Sequence, residues 1–239
     1  MTPKVLLIGI SGCSSSGKTT LAKLTANLIP SAVLLHEDDF FKHDDEIPFD
    51  ETYQVSNWDS PDALDLPLFS KELDYIKKTG QISVDLIHNN NHENSESVVL
   101  STKVEQEIRR KFDAQFLDSN IKVVVVDGFM MFNDPALADK FDIKVLFRAP
   151  YSTLKKRRAA RSGYQTLESF WIDPPFYFDK FVYKSYSESH SRLFVNGDVE
   201  GDIKEDSGIY DFMNDDGTEV SEALSWLCDL IVKLGKMPR

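Results

Sequence analysis

The strongest constraint on the fold is a set of short apolar runs without polar alternation. They cover residues 5–10, 32–35, 123–126, 143–147 and 193–195. A strand with one face in water alternates apolar and polar residues, whereas a strand covered on both faces does not. Longer amphipathic stretches separate the runs. The pattern predicts an α/β fold of three layers, in which helices cover both faces of a central parallel sheet.

Length, charge and cysteine content limit the class of protein. The 239 residues suit a single domain, 1–239, with surface excursions at about 88–97 and a loosely ordered acidic segment at about 198–219. A formal net charge of −12 disfavours nucleic-acid partners. No apolar run is long enough to span a membrane, and the two cysteines, Cys13 and Cys228, have no metal-ligand spacing. We expect a soluble protein of the cytoplasm, with the nucleus as an alternative, and no obligate protein partner.

Helix boundaries can be predicted at a few punctuating residues. Ser60 and Pro61 favour the start of a short helix, and Pro67 and Gly80 bound a second one. The last helix carries one apolar stripe. Its members are Leu224, Leu227, Cys228, Ile231 and Leu234.

A glycine-flanked motif directly follows the first apolar run. It reads G-x-x-x-x-G-K-T and comprises Gly12, Cys13, Ser14, Ser15, Ser16, Gly17, Lys18 and Thr19, with Thr20 next in the following helix. Its glycines let successive backbone N–H groups point at phosphate oxygens, while the lysine reaches the outer phosphates and the Thr19 hydroxyl ligates Mg²⁺. The motif predicts binding of a nucleoside triphosphate such as ATP, but not the reaction that follows.

Carboxylates follow two of the predicted strands, where the ligand crevice of an α/β sheet lies. Asp127 ends the run 123–126 and is a candidate to hold Mg²⁺ with its water shell. Asp38 and Asp39 follow the second run, and Asp38 is our candidate base for a substrate hydroxyl. Each of these residues could instead cap a turn.

A cluster of basic residues follows the fourth run. Arg157, Arg158 and Arg161 can share helical faces, and guanidinium groups neutralise a phosphoryl group in transfer. We predict a small lid over about 155–175. The alternative is a solvated basic face.

Taken in order, six segments resemble those of the nicotinamide riboside kinase family, in the uridine-kinase-like group of P-loop kinases. The segments are GCSSSGKTT, HEDDFFK, NWDSPDAL, VVVVDGFMMFN, RAPY…KKRRAARSGYQ and DPPFYFDKFVY. The match runs from the first strand to about Asp198. The resemblance implies a P-loop kinase fold and ATP-dependent, Mg²⁺-assisted phosphorylation of the ribose 5′-hydroxyl of nicotinamide riboside, often also of nicotinic acid riboside, to form the mononucleotide for NAD synthesis.

The resemblance also implies roles for individual residues. It implies catalytic roles for Asp38, Lys18 and Arg158, and Mg²⁺ contacts from Thr19, Asp38 and Asp127. ATP contacts are implied for residues 12–20 and, in the lid, for Arg157 and Arg161. The implied nucleoside contacts are Asp38, Asp39, Phe40, Phe41, Trp58, Asp59, Arg158, Tyr164 and Gln165.

Physical chemistry supports the implied nucleoside site. A positively charged pyridinium ring stacked between Trp58 and Tyr164 would gain cation–π attraction, and a carboxylate such as Asp59 suits a ribose diol. Both aromatic residues could instead serve packing. A neutral base would fit them as well, so a uridine or cytidine kinase stays an alternative.

Two interpretations from other classes of protein are disfavoured. A GTPase switch needs an Asn-Lys-x-Asp segment near the fifth strand, but the chain has Asn196-Gly197-Asp198 there. A non-catalytic nucleotide-binding protein would need no base, although Asp38 is present.

Overall fold

A five-stranded parallel sheet forms the centre of the molecule, in the order β2-β5-β1-β6-β9. The computed structural model describes residues 4–83, 98 and 100–236. The strands are β1 (Lys4–Ser11), β2 (Val33–His36), β3 (Phe49–Asp50), β4 (Val55–Ser56), β5 (Ile121–Gly128), β6 (Ile143–Arg148), β7 (Tyr164–Gln165), β8 (Phe170–Trp171) and β9 (Tyr210–Met213). β3 pairs with β4, and β7 with β8, as two small antiparallel hairpins outside the main sheet.

Helices cover both faces of this sheet. They are α1 (Lys18–Leu28), α2 (Leu66–Thr79), α3 (Thr102–Phe112), α4 (Pro135–Ala138), α5 (Tyr151–Ala159), α6 (Tyr183–His190) and α7 (Val220–Leu234). Successive residues of β1 enter opposite layers: Val5 and Leu7 pack with α2 and α6, whereas Leu6 and Ile8 pack with α1, α3 and α7. The predicted three-layer α/β fold is therefore confirmed.

The strand order brings the carboxyl ends of β1, β2 and β5 together. In register, Asp127 lies beside His36 of β2 on one side and beside Ile10 of β1 on the other. The loop 12–17 and the 3-10 turn Glu37–Phe40 leave the sheet at this carboxyl end of the strands. Parallel pairing alone thus places the phosphate-loop motif and the predicted carboxylates at one end of the sheet.

The fifth strand differs from the prediction. Residues 193–195 form no strand of the main sheet: Leu193 ends the 3-10 turn Ser191–Leu193, Val195 begins the 3-10 turn Val195–Gly197, and Phe194 lies between them; Leu193 and Phe194 are buried. The fifth strand of the sheet is β9, which pairs with β6 on the side away from β1. It lies inside the acidic segment that we expected to be loosely ordered. As an edge strand it has one neighbour, so only Phe212 is half-buried and no apolar run marks it.

The predicted helix boundaries are largely confirmed. The Ser60 hydroxyl accepts a hydrogen bond from the Asp62 N–H at the start of a 3-10 turn, and α2 ends at Gly80, whose φ is 71°. The last helix buries its stripe as predicted, with Leu234 half-buried. The predicted excursion 88–97 lies outside the described residues. Across the ranges the structure describes, no helix combines the length and apolarity that a membrane crossing requires.

Candidate active site

The loop 12–17 joins β1 to α1 through backbone conformations that favour glycine. Gly12 has φ 152° and Gly17 has φ 89°. A Cβ atom at Gly12 would collide with the carbonyl oxygen of Phe147. The hydroxyls of Ser15 and Ser16 are buried without a hydrogen-bond partner among the described residues. Such unpaired donors beside a helix N-terminus suit an anion, so the loop fits a phosphate chain.

Asp127 is held by hydrogen bonds to both of its carboxylate oxygens. Thr19 Oγ1 donates to one oxygen at 2.6 Å, and His36 Nδ1 is hydrogen-bonded to the other. Burial acts to raise the pKa of Asp127, but the bonds from His36 and Thr19 and the charge of Lys18 outweigh it and lower the pKa. Asp127 is therefore an anion beside the Thr19 hydroxyl, a donor set that suits Mg²⁺ held jointly with phosphates.

The turn that carries Asp38 is anchored by the residue before it. Glu37 is fully buried, and its Oε2 accepts hydrogen bonds from the backbone N–H groups of Phe129 at 2.7 Å and Met130 at 2.8 Å. Burial raises the pKa of Glu37 to about 8. These bonds tie the end of β2 to the chain after β5, which positions Asp38 and Phe129 in the same cleft.

One cleft with about 690 Å³ of empty space collects most of the predicted site residues. Those that line it are Ser14, Lys18, Thr19, Asp38, Phe41, Trp58, Asp59, Arg158, Arg161, Tyr164 and Gln165. Phe129, Thr166 and Trp171 also line it, although sequence analysis missed them. Phosphate-binding, acidic and aromatic groups therefore share one space.

Arg158 links the phosphate loop to the lid region. Its guanidinium donates to the Ser14 hydroxyl at 2.7 Å and to both oxygens of Asp173, at 2.6 and 3.0 Å. A third carboxylate oxygen, Oδ2 of buried Asp59, lies 3.5 Å from Nη2 of Arg158. Burial raises the pKa of Asp59, and the charge of Arg158 opposes this rise. Arg158 is thus fixed at the floor of the cleft.

Aromatic side chains form the remaining wall. The Phe41 ring lies 5.8 Å from Trp58 and 5.9 Å from Phe129, and Trp58 lies 6.4 Å from Trp171. Trp58 is also positioned by its backbone N–H, which donates to the Tyr177 hydroxyl at 2.8 Å. This wall can receive a flat ring.

Some predicted residues lie elsewhere among the described residues. Phe40 is buried in the core with its ring 5.0 Å from Phe69, and Asp39 does not line the cleft. Arg157 binds the Asn214 carbonyl at 2.9 Å and the Asp216 carboxylate at 3.2 Å, also outside the cleft.

The segment after β9 connects the phosphate loop to α5. The side-chain amide of Asn214 donates to the Ser16 carbonyl at 2.7 Å, and the Asn214 backbone N–H donates to the Arg148 carbonyl at 2.7 Å. With the Arg157 contact, Asn214 joins the loop, β6 and α5.

The hairpin of β7 and β8, which lies inside the predicted lid and is here called the lid hairpin, is anchored by Asp44. The Asp44 carboxylate accepts hydrogen bonds from the hydroxyls of Thr166 and Ser169, each at 2.7 Å. These bonds tie the hairpin, four residues of which line the cleft, to the 3-10 turn Asp44–Glu46.

Known proteins are similar to the chain over nearly its full length. It is 56% identical to the nicotinamide riboside kinase of Saccharomyces cerevisiae, and the alignment covers 98% of this chain and 98% of that relative. The chain is also 48% identical to a nicotinamide riboside kinase of Eremothecium gossypii, in an alignment that covers 96% of this chain and 94% of that relative. The chain belongs to the nicotinamide riboside kinase family. Members of this family are phosphotransferases, so this chain is an enzyme of that class.

The nicotinamide riboside kinase family has more distant relatives among pyrimidine nucleoside kinases. A uridine kinase of Borreliella burgdorferi is 30% identical over 65% of this chain and 66% of its own length. No protein-family model matches the chain.

Proposed function

We propose that this protein transfers the γ-phosphoryl group of ATP to the 5′-hydroxyl of nicotinamide riboside, and of nicotinic acid riboside, to form the mononucleotides used in NAD synthesis. The observation that carries the proposal is the single cleft in which the phosphate loop, Asp38 and an aromatic wall meet. The 56% identity to a nicotinamide riboside kinase supports the choice of substrate.

Asp38 is the proposed base. It lines the cleft together with Lys18, so a hydroxyl bound between them would face the phosphate loop. A carboxylate that accepts the hydroxyl proton during in-line transfer contributes about 10²–10⁴-fold to the rate. Lys18 and Arg158 neutralise charge on the phosphoryl group, and the hydrogen bonds that Arg158 donates to Ser14 and Asp173 orient it for this role.

ATP and Mg²⁺ fit the residues present. The phosphate loop, with the unpaired hydroxyls of Ser15 and Ser16, would hold the phosphates. Thr19, Asp127 and Asp38 would hold the metal, which supplies charge neutralisation on the phosphates. Arg161, at the lid edge of the cleft, would contact ATP.

The nucleoside would occupy the aromatic end of the cleft. Trp58 and Tyr164 both line it, as do Phe41 and Gln165. Asp59 would accept hydrogen bonds from the ribose diol, since its carboxylate is buried among the cleft residues.

The decisive test measures ADP release with ATP and Mg²⁺ and one nucleoside at a time: nicotinamide riboside, nicotinic acid riboside, uridine or cytidine. We expect strong turnover with the two pyridine ribosides and little with the pyrimidines. Preference for uridine or cytidine would favour the alternative kinase, and no nucleoside-dependent turnover would favour a binding protein without catalysis.

A second test addresses the base. Asp38→Asn should lower kcat by about 10²–10⁴-fold and leave ATP binding within a few-fold. Asp45→Asn is the matched control, because it makes the same change at an exposed nearby position outside the cleft. Full activity in Asp38→Asn would contradict the assignment of Asp38 as the base.

A further inference from the structure

The lid hairpin brings an unassigned aromatic ring into the cleft. Trp171 of β8 is paired with Tyr164 of β7, and both side chains line the cleft. The Trp171 ring lies 6.4 Å from the Trp58 ring, at an interplanar angle of 51°. Tyr164 and Trp171 are therefore both candidates to contact a flat ligand at the aromatic end of the cleft.

Tyr164 already faces cations. The guanidinium carbon of Arg158 lies 4.2 Å from the Tyr164 ring centroid, and that of Arg161 lies 5.4 Å from it. The face of an aromatic ring attracts a cation through its quadrupole. A pyridinium placed against Tyr164 would meet two positive charges near the ring that should attract it. Tyr164 is therefore already engaged with two cations, and an aromatic ring without such neighbours is better placed to attract a charged base.

Trp171 has the opposite surroundings. Its Nε1–H donates to the Asp173 carboxylate at 2.8 Å, which fixes the indole beside the ion pair of Asp173 and Arg158. The ring of Tyr177 supports it at 5.2 Å. In the part of the chain that the structure describes, no lysine or arginine lies over the Trp171 ring. Of the aromatic side chains, tryptophan attracts cations most strongly.

The same carboxylate divides these roles. Asp173 binds both Arg158 and Trp171, so it directs the guanidinium toward Tyr164 while it holds the indole in the cleft wall. Arg158 thus contacts the Tyr164 ring, and the Trp171 ring remains for the ligand.

We propose that Trp171 is a specificity-determining residue that recognises the positive charge of the pyridinium ring, with Tyr164 contributing packing and support for Arg158. The inference rests on the proposed function. It names the ring that selects a cationic base over a neutral one.

Binding measurements test the proposal directly. Calorimetry gives the Kd for nicotinamide riboside of the wild-type protein and of Trp171→Leu, Trp171→Phe and Tyr164→Leu. We expect a rise of about 5–30-fold in Trp171→Leu, a smaller rise in Trp171→Phe, and a rise in Tyr164→Leu below that of Trp171→Leu. The KM for ATP should stay within about twofold in the Trp171 variants, which reports an intact phosphate site.

Fluorescence supplies a spectroscopic signature. The chain has three tryptophans, and a bound pyridinium should quench those it touches. Trp171→Phe, which keeps an aromatic ring for packing, should lose a large part of the quenching. Trp226→Phe is the matched control, since Trp226 packs on Phe147 and Phe212 in the opposite layer and should keep it.

The possible failures can be told apart. A wild-type protein that does not phosphorylate nicotinamide riboside overturns the proposed function and this inference with it. A wild type that does, combined with an unchanged Kd in Trp171→Leu or unchanged quenching in Trp171→Phe, overturns the inference alone. A larger loss of affinity in Tyr164→Leu than in Trp171→Leu would do the same.

Discussion

At the scale of single residues, the phosphate site depends most on Gly12. Its φ of 152° is strained for any residue with a Cβ, and that atom would collide with the Phe147 carbonyl. Gly12→Ala should therefore lower stability by about 1–3 kcal/mol and weaken ATP binding at least tenfold. Thermal unfolding and calorimetry with ATP measure the two effects.

The control for this change is Gly217→Ala. A Cβ at Gly217 would meet no atom within 4 Å. We expect wild-type stability and ATP affinity in that variant. If Gly12→Ala matched it, the backbone of the loop would not need glycine at this position.

Site residues in local motifs were predictable, while those joined by the tertiary fold were not. Lys18 and Thr19 follow from a spacing that phosphate binding requires, and Asp38 and Asp127 from strand ends in a parallel sheet. Trp171 was missed because a two-residue strand has no periodicity. Its place in the cleft depends on hairpin pairing and on Asp44, 127 positions earlier in the chain.

At the scale of elements, the segment after β9 serves the phosphate loop. Asn214→Ala removes the donor to the Ser16 carbonyl, a bond whose loss costs about 1 kcal/mol. We therefore expect the Kd for ATP to rise about fivefold, with the KM for the nucleoside within twofold. Calorimetry and steady-state kinetics give the two values.

Asn27→Ala provides the comparison, because Asn27 is exposed near the end of α1. It should change neither value. Equal effects of Asn214→Ala on both substrates would indicate a general structural role instead of one specific to the phosphate loop.

Strands were predictable from the sequence where both of their faces are buried under helices. β1, β5 and β6 are interior strands whose apolar runs identify them, and β2, although it lies at the edge of the sheet opposite β9, also has an apolar run; each was predicted to within two residues at either end. β9 lies at the edge and reads as an acidic loop, with only Phe212 half-buried, so its pairing with β6 could not be read from hydrophobicity. Leu193 and Phe194 are apolar because they fill the core between turns, whereas Val195 is exposed.

At the scale of the whole molecule, one buried histidine links stability to pH. Burial, aided by the charge of Arg192, lowers the pKa of His190 to about 4 from its usual 6.5. Between these values the unfolded chain binds a proton at this residue and the folded chain does not. Protonation thus favours unfolding, and stability should fall by about 1.4 kcal/mol per unit as pH drops below 6.5.

Chemical denaturation at pH 7 and pH 5 tests this dependence. His190→Gln should remove this contribution to the fall. His43→Gln, at an exposed position, should keep the fall or steepen it, because the bond to Glu168 raises the pKa of His43 and so adds stability at low pH. Parallel pH dependence in wild type and His190→Gln would show that other groups cause the fall.

The position of β1 has a consequence for synthesis on the ribosome. β1 is made first, but its two neighbours in the sheet are β5 and β6, and the contact between Asn214 and Ser16 spans 198 positions. The phosphate loop therefore leaves the ribosome long before the segments that shape it. A nascent chain should reach full ATP affinity only after β9 and Asn214 have been made, and until β5 and β6 follow it the apolar β1 strand is exposed to chaperones.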